Sequence, residues 1–120
     1  MSTLSTHVLD TSLGKPAAGI PVLLERVRDP KSDPDEHRDL TIGAGTTDDD
    51  GRLKEFVSAG APLPPGTYRL RFDVGDYFTR TQRETFFPEV SVVFRIGVGE
   101  QHYHVPVLLS PFGYSTYRGS

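Results

Sequence analysis

A chain of 120 residues, 36% hydrophobic and 24% charged, is sized for one domain, residues 1–120, around one buried core, and its apolar runs are too short to span a bilayer. Thirteen Lys and Arg scattered among sixteen acids give a formal net charge of -3, which leaves no basic footprint for nucleic acid. The absence of cysteine excludes disulfides, thiolate catalysis and zinc held on sulfur. It also fits a reducing compartment, and the opening MSTLSTHVLD has neither the basic nor the apolar region of a secretory leader, so a cytoplasmic location is expected.

Twelve Gly and ten Pro punctuate short apolar runs at regular intervals, the pattern of an all-β sandwich. In chain order the expected strands begin with LSTHVLD (4–10), IPVLLERV (20–27), a stretch around 39–47 and RLKEFV (52–57). TYRLRFDV (67–74) alternates cleanly, with Tyr68, Leu70, Phe72 and Val74 inward and Thr67, Arg69, Arg71 and Asp73 outward. DYFTRTQRETF (76–86) is the one place for a short helix, started by Asp76 as an N-cap. VSVVFRIGV (90–98) puts Val90, Val92, Phe94, Ile96 and Val98 on one face. HYHVPVLL (102–109) turns Tyr103, Val105, Val107 and Leu109 inward, and YSTYRG (114–119) is a weaker last strand. LGKPAAG, RDPKSDPDEHRD, TDDDGR, APLPPGT and GVGEQ read as turns, with PKSDPDEH a solvated hairpin loop. Eight short strands and one brief helix make two packed sheets the economical architecture.

Strand parity also picks out residues that could carry chemistry. His102 and His104 point away from the core face of their strand, and His7 alternates against Val8. A single surface histidine is ordinarily inert, but three on outward faces suit proton transfer. Two imidazoles at i and i+2 can also chelate a metal, although no third ligand stands at a recognisable spacing. Arg52 follows the DDDG turn, where its plain role is that of a solvated strand residue. No nucleophile elbow, phosphate-binding loop or dinucleotide fingerprint is present.

Three segments carry a resemblance. STHVLDTSLGKPAAGIPV, TDDDGR and HYHVPVLLSPFGYSTYRGS resemble the signatures of the transthyretin-like proteins, and within them those of the 5-hydroxyisourate hydrolases. The terminal YRGS and the histidine of the first strand separate the hydrolases from the thyroid-hormone carriers. One departure is Asp48, where the family commonly has Asn; both residue types serve such turns.

The resemblance implies a transthyretin-like two-sheet sandwich, assembled as a homotetramer with a central channel. The implied reaction is hydrolytic opening of the six-membered ring of 5-hydroxyisourate, a small purine-derived substrate, with no metal or organic cofactor. The catalytic residues it implies are His7, Arg52, His104 and Ser120, with His7, Arg52, Tyr117, Arg118 and Gly119 binding substrate. His104 would be the base and His7 its partner in orienting water or shuttling the proton. Arg52 would stabilise the charge that builds on a carbonyl, Tyr117 would meet the flat substrate, and Ser120 with its carboxylate would close the pocket. The alternative is a non-catalytic carrier of a small aromatic ligand, which would keep the shape without these residues. A third possibility is an interaction domain of a larger β-rich system.

Overall fold

The computed structural model describes residues 2–28, 39–56, 63–99 and 101–120. The alternating runs form strands because each buries one side in a shared core, and the result is the expected all-β sandwich with one short helix. The strands are β1 (Thr3–Asp10), β2 (Lys15–Pro16), β3 (Pro21–Arg26), β4 (Leu40–Thr46), β5 (Arg52–Leu53), β6 (Gly66–Phe72), β7 (Val90–Ile96), β8 (His102–Ser110) and β9 (Gly113–Thr116); α1 spans Val74–Arg80. One sheet has the order β2-β1-β8-β9, with β5 also paired to β1, and the other has the order β4-β3-β6-β7. Neighbours are antiparallel except β1 and β8, which run parallel in register from Thr3 beside His102 to Asp10 beside Leu109.

Between the sheets lie Val8, Val107 and Leu109 from one side and Leu24, Tyr68, Leu70, Phe72 and Val90 from the other, all fully buried. Each such side chain contributes roughly 1.5–3 kcal/mol by leaving water. The two buried tyrosines of the strands satisfy their hydroxyls on backbone: Tyr68 donates to Pro64 O at 2.6 Å, and Tyr103 accepts from Gly97 N at 3.0 Å.

The helix begins earlier than expected. Asp73 rather than Asp76 is its N-cap, accepting from the Asp76 backbone N–H, and the helix ends at Arg80. Asp73 leaves the outward row of β6 to do this, because α1 needs a partner for a free N–H more than the strand needs another residue. Tyr77 and Phe78 are thereby buried against the sandwich.

Other boundaries shift for equally local reasons. RLKEFV pairs with β1 only at Arg52 and Leu53, and Val57 lies outside the described residues. Val98 does not join the core face of β7: that strand stops at Ile96, and Val98 is 88% exposed between Gly97 and Gly99. The unexpected strand β2 falls inside the LGKPAAG turn, where Lys15 and Pro16 pair back onto the end of β1. YSTYRG pairs from Gly113 to Thr116 and touches β8 again through a bridge between Gly119 and His104. The PKSDPDEH loop lies outside the described residues.

A buried polar cluster pins α1 and the segment after it to β1. Asp10, fully buried, accepts from Tyr77 Oη at 2.7 Å, Arg83 Nη2 at 2.6 Å and Ser12 Oγ at 2.6 Å. Burial pushes its pKa up, but these hydrogen bonds and the Arg83 charge outweigh burial and bring it down to about 2.

Candidate active site

Period two on β1 and β8 sends Thr3, Ser5 and His7 to the same face of their sheet as His102 and His104, away from the core. The parallel register then decides the neighbours: Thr3 stands beside His102, Ser5 beside His104, and His7 beside Pro106. On the other side of β1, the β5 pairing sets Arg52 beside His7.

Arg52 is delivered by the TDDDGR turn. Asp48 Oδ1 accepts the backbone N–H of Asp50 and of Arg52, each at 2.9 Å, and the Asp48 N–H donates to Arg52 O at 2.9 Å. The carboxylate therefore does the work open to the amide of an asparagine, and the two N–H groups hold it below the usual carboxylate pKa. Gly51 adopts φ +74, and a Cβ there would fall 2.4 Å from Val8 O, so both conformation and space require glycine. The same turn fixes His7. Its Nε2 lies 2.9 Å from Asp50 O, and a carbonyl only accepts, so Nε2 carries a proton. In the neutral ring the acceptor is therefore Nδ1.

His104 is half-buried and makes its side-chain hydrogen bond through Nδ1, 2.8 Å from Ser5 Oγ. Burial lowers its pKa from the ordinary histidine value, and the charges of His7, His102 and Arg52 lower it further, with the Ser5 backbone opposing. The tail folds over it: Gly119 N–H donates to His104 O at 2.8 Å, while Thr116 Oγ1 donates to Pro106 O at 2.8 Å.

Arg52, His104 and Ser120 line one open groove of about 330 Å³, together with Ser5, Lys54 and His102. His7 borders this set through its pairing with Arg52. Tyr117 and Arg118 are turned to a neighbouring cleft of about 290 Å³ that also includes Val92, Phe94, Tyr103 and His104, so His104 alone of the expected site residues lines both. Arg118 donates to Gln101 Oε1 at 2.9 Å and lies 4.7 Å from the centre of the Tyr103 ring. Gly119 meets His104 rather than opening to either space.

Ser5 and Lys54 were not among the expected residues, although the period-two rule that singled out the histidines also reaches them. Ser5 lies two residues before His7 and Lys54 two residues after Arg52. A serine or lysine on an outward strand face has no chemical mark of its own, and only the register across β1 and β8 gives Ser5 its neighbours. Among the described residues, no group of three or more His, Cys, Asp or Glu is placed to hold a metal ion. His102 and His104 instead share the Ser5 hydroxyl.

This arrangement offers a histidine of lowered pKa and an exposed guanidinium at one groove, bordered by a second histidine whose Nδ1 has no hydrogen-bond partner among the described residues. It suits attack of water on a carbonyl. Residues 4–119 match the HIUase/Transthyretin family. The 5-hydroxyisourate hydrolase of Salmonella dublin is 46% identical over 117 residues, covering 98% of this chain and 80% of that protein. The structure of Klebsiella pneumoniae 5-hydroxyisourate hydrolase superposes with a TM-score of 0.80 at 42% identity, over 98% of this chain and 99% of that one. Sea bream transthyretin in complex with thyroxine gives a TM-score of 0.85 at 28% identity, over 98% and 94%. Backbone shape therefore does not separate the two, whereas sequence identity favours the hydrolases. The chain belongs to the HIUase/Transthyretin family.

Proposed function

We propose that this chain is a 5-hydroxyisourate hydrolase, opening the six-membered ring of 5-hydroxyisourate to 2-oxo-4-hydroxy-4-carboxy-5-ureidoimidazoline in urate degradation towards allantoin. The observation that carries the reading is the meeting of Arg52, His104 and Ser120 at one groove, in a chain 46% identical to a hydrolase of that name.

In the reaction, water adds to a ring carbonyl carbon, the adjoining C–N bond breaks, and the departing nitrogen takes a proton. His104 accepts water's proton; its lowered pKa keeps the imidazole neutral at physiological pH. His7, its Nε2–H held by Asp50, orients the water or passes a proton through Nδ1. Arg52, which lines the groove, hydrogen-bonds the carbonyl oxygen as negative charge develops there. Ser120 closes the groove beside His104. Gly119 lets the tail lie against the His104 ring, and Tyr117 and Arg118 bind substrate from the adjoining cleft or hold the tail there.

The working protein is a homotetramer. Its described surface exposes Val93 on the edge strand β7, Tyr114 on the edge strand β9, and Phe86 and Phe112, the last two more than two-thirds exposed. Unpaired edges and large apolar side chains of this kind are suited to burial by other copies. No described helix is long and apolar enough to cross a membrane.

The test is to generate 5-hydroxyisourate with urate oxidase and follow its ultraviolet absorbance. A hydrolase accelerates the decay in proportion to its concentration; a carrier of the transthyretin kind binds without turnover.

A further inference from the structure

His102 has no part in the chemistry above, yet it is joined to it. Its Nδ1 lies 2.6 Å from Thr3 Oγ1 and its Nε2 lies 2.9 Å from Ser5 Oγ. The same Ser5 oxygen lies 2.8 Å from His104 Nδ1. Four side chains on two parallel strands thus form one unbroken chain, Thr3 to His102 to Ser5 to His104.

A hydroxyl has one proton, so Ser5 donates to one imidazole while accepting from the other. Two orders follow. In the first, His104 Nδ1–H donates to Ser5, Ser5 donates to His102 Nε2, and His102 Nδ1–H donates to Thr3. In the second every bond is reversed, and His104 keeps its proton on Nε2. Only the first leaves His104 Nε2 as an acceptor, and that nitrogen has no hydrogen-bond partner among the described residues. Uptake of a proton at Nε2 also leaves the first order intact, because Nδ1–H donates to Ser5 in both the neutral ring and the imidazolium. The second order would have to reverse before His104 could hold both protons.

We propose that Ser5 and His102 are positioning residues for His104, holding with Thr3 a hydrogen-bonded chain that keeps its Nδ1 protonated and its Nε2 bare for the incoming proton. The inference rests on the reading of His104 as the base. Ser5 is 8% exposed, so water competes poorly for its hydroxyl, whereas Thr3 and His102 open to solvent at the far end of the chain. The charged and titratable groups that share the two clefts of His104 or act on it are His7 on β1, Arg52 on β5, Lys54 beyond it, His102 on its own strand, Arg95 on β7, and Arg118 and the terminal carboxylate of Ser120 on the tail. Among the described residues none of these groups hydrogen-bonds His104 Nδ1, whose partner is Ser5 Oγ.

The test joins nitrogen-15 NMR of histidine-labelled protein to steady-state kinetics. In the wild type near neutral pH, His104 is expected to show a protonated Nδ1 and an unprotonated Nε2. Ser5→Ala should give a mixture of tautomers, and kcat should fall roughly 10- to 100-fold, by analogy with the loss when the hydrogen-bond partner that orients a metal-bound imidazole is removed. KM should change less. Ser5→Thr keeps the hydroxyl and should restore both readouts. His102→Ala should behave like Ser5→Ala, while His102→Gln, whose carbonyl oxygen can accept from Ser5, should recover part of kcat. The proposal is overturned if wild-type His104 carries its neutral-state proton on Nε2, or if Ser5→Ala and His102→Ala keep the wild-type tautomer and kcat. Unchanged turnover in His104→Asn would defeat the reading of the base instead, and the tautomer measurement would still decide the chain.

Discussion

A Cβ on Gly119 would fall 2.6 Å from Cδ2 of the His104 ring and 3.3 Å from Cγ of Pro106. The tail backbone and the imidazole are therefore in direct contact, held by the bond from Gly119 N–H to His104 O. Gly119→Ala should push the ring aside while leaving the sandwich intact. A displacement approaching 1 Å at a reacting group can cost about 100-fold, so we expect a loss of kcat of roughly 10- to 100-fold with an unchanged circular dichroism spectrum. A variant with wild-type turnover would show that the His104 position does not depend on this contact.

Acid should slow the enzyme later than an ordinary histidine would. Protonated His104 cannot accept a proton from water, so kcat/KM falls as pH drops through its pKa. Burial and the neighbouring cations place that pKa below the ordinary 6.5. The acid limb of the profile, corrected for spontaneous decay, should therefore lie below pH 6.5. A profile flat from pH 5 to 8 and still flat below it, or a limb well above 6.5, would remove His104 titration from rate control.

The buried Asp10 gives a separate prediction about stability. Its folded pKa of about 2 lies below the ordinary 3.8, so its contribution is fully present above pH 3.8 and is lost as pH falls towards 2. The difference corresponds to about 2 kcal/mol. Asp10→Asn should lower the unfolding free energy at pH 7 by about that amount, seen as a lower chemical-denaturation midpoint, and the gap to wild type should narrow as pH approaches 2. Equal midpoints at pH 7 would mean that the Tyr77, Arg83 and Ser12 bonds add nothing net.

Assembly is tested by sedimentation. At micromolar concentration the protein should run as a tetramer, with Phe86, Phe112 and Tyr114 drawn out of water. A monomer alone would leave those side chains without the burial we assign to them.

Period two made the sandwich readable: Tyr68, Leu70 and Phe72 on β6, and Tyr103, Val105, Val107 and Leu109 on β8, are buried as their alternation requires. Element ends were less readable, because they depend on single hydrogen bonds such as the cap from Asp73, which competes with the strand pattern through the same residue. In the site, parity and the TDDDGR turn put the histidines on an outward face and Arg52 at a strand start. They do not say which strand lies beside β1. The parallel pairing of the first strand with the eighth joins residues almost a hundred positions apart, and only that register brings Ser5 to His104 and His102. The tail divides in the same way: its strand character was legible, whereas its pairing with β8 and the turning of Arg118 towards Gln101 and Tyr103 depend on register and side-chain packing that no motif encodes.

The central claim is that this groove hydrolyses 5-hydroxyisourate through His104 and Arg52, and the most direct measurement is the enzyme-dependent decay of its ultraviolet absorbance in wild type, His104→Asn and Arg52→Ala. The wild type should accelerate decay strongly. His104→Asn should lose ~10²–10⁴-fold, the usual contribution of a general base, and Arg52→Ala ~10²–10³-fold, that of a donor to a developing oxyanion, both with unchanged circular dichroism. A wild-type protein that leaves the spontaneous rate unaltered, or folded variants that turn over as fast as wild type, would contradict the account.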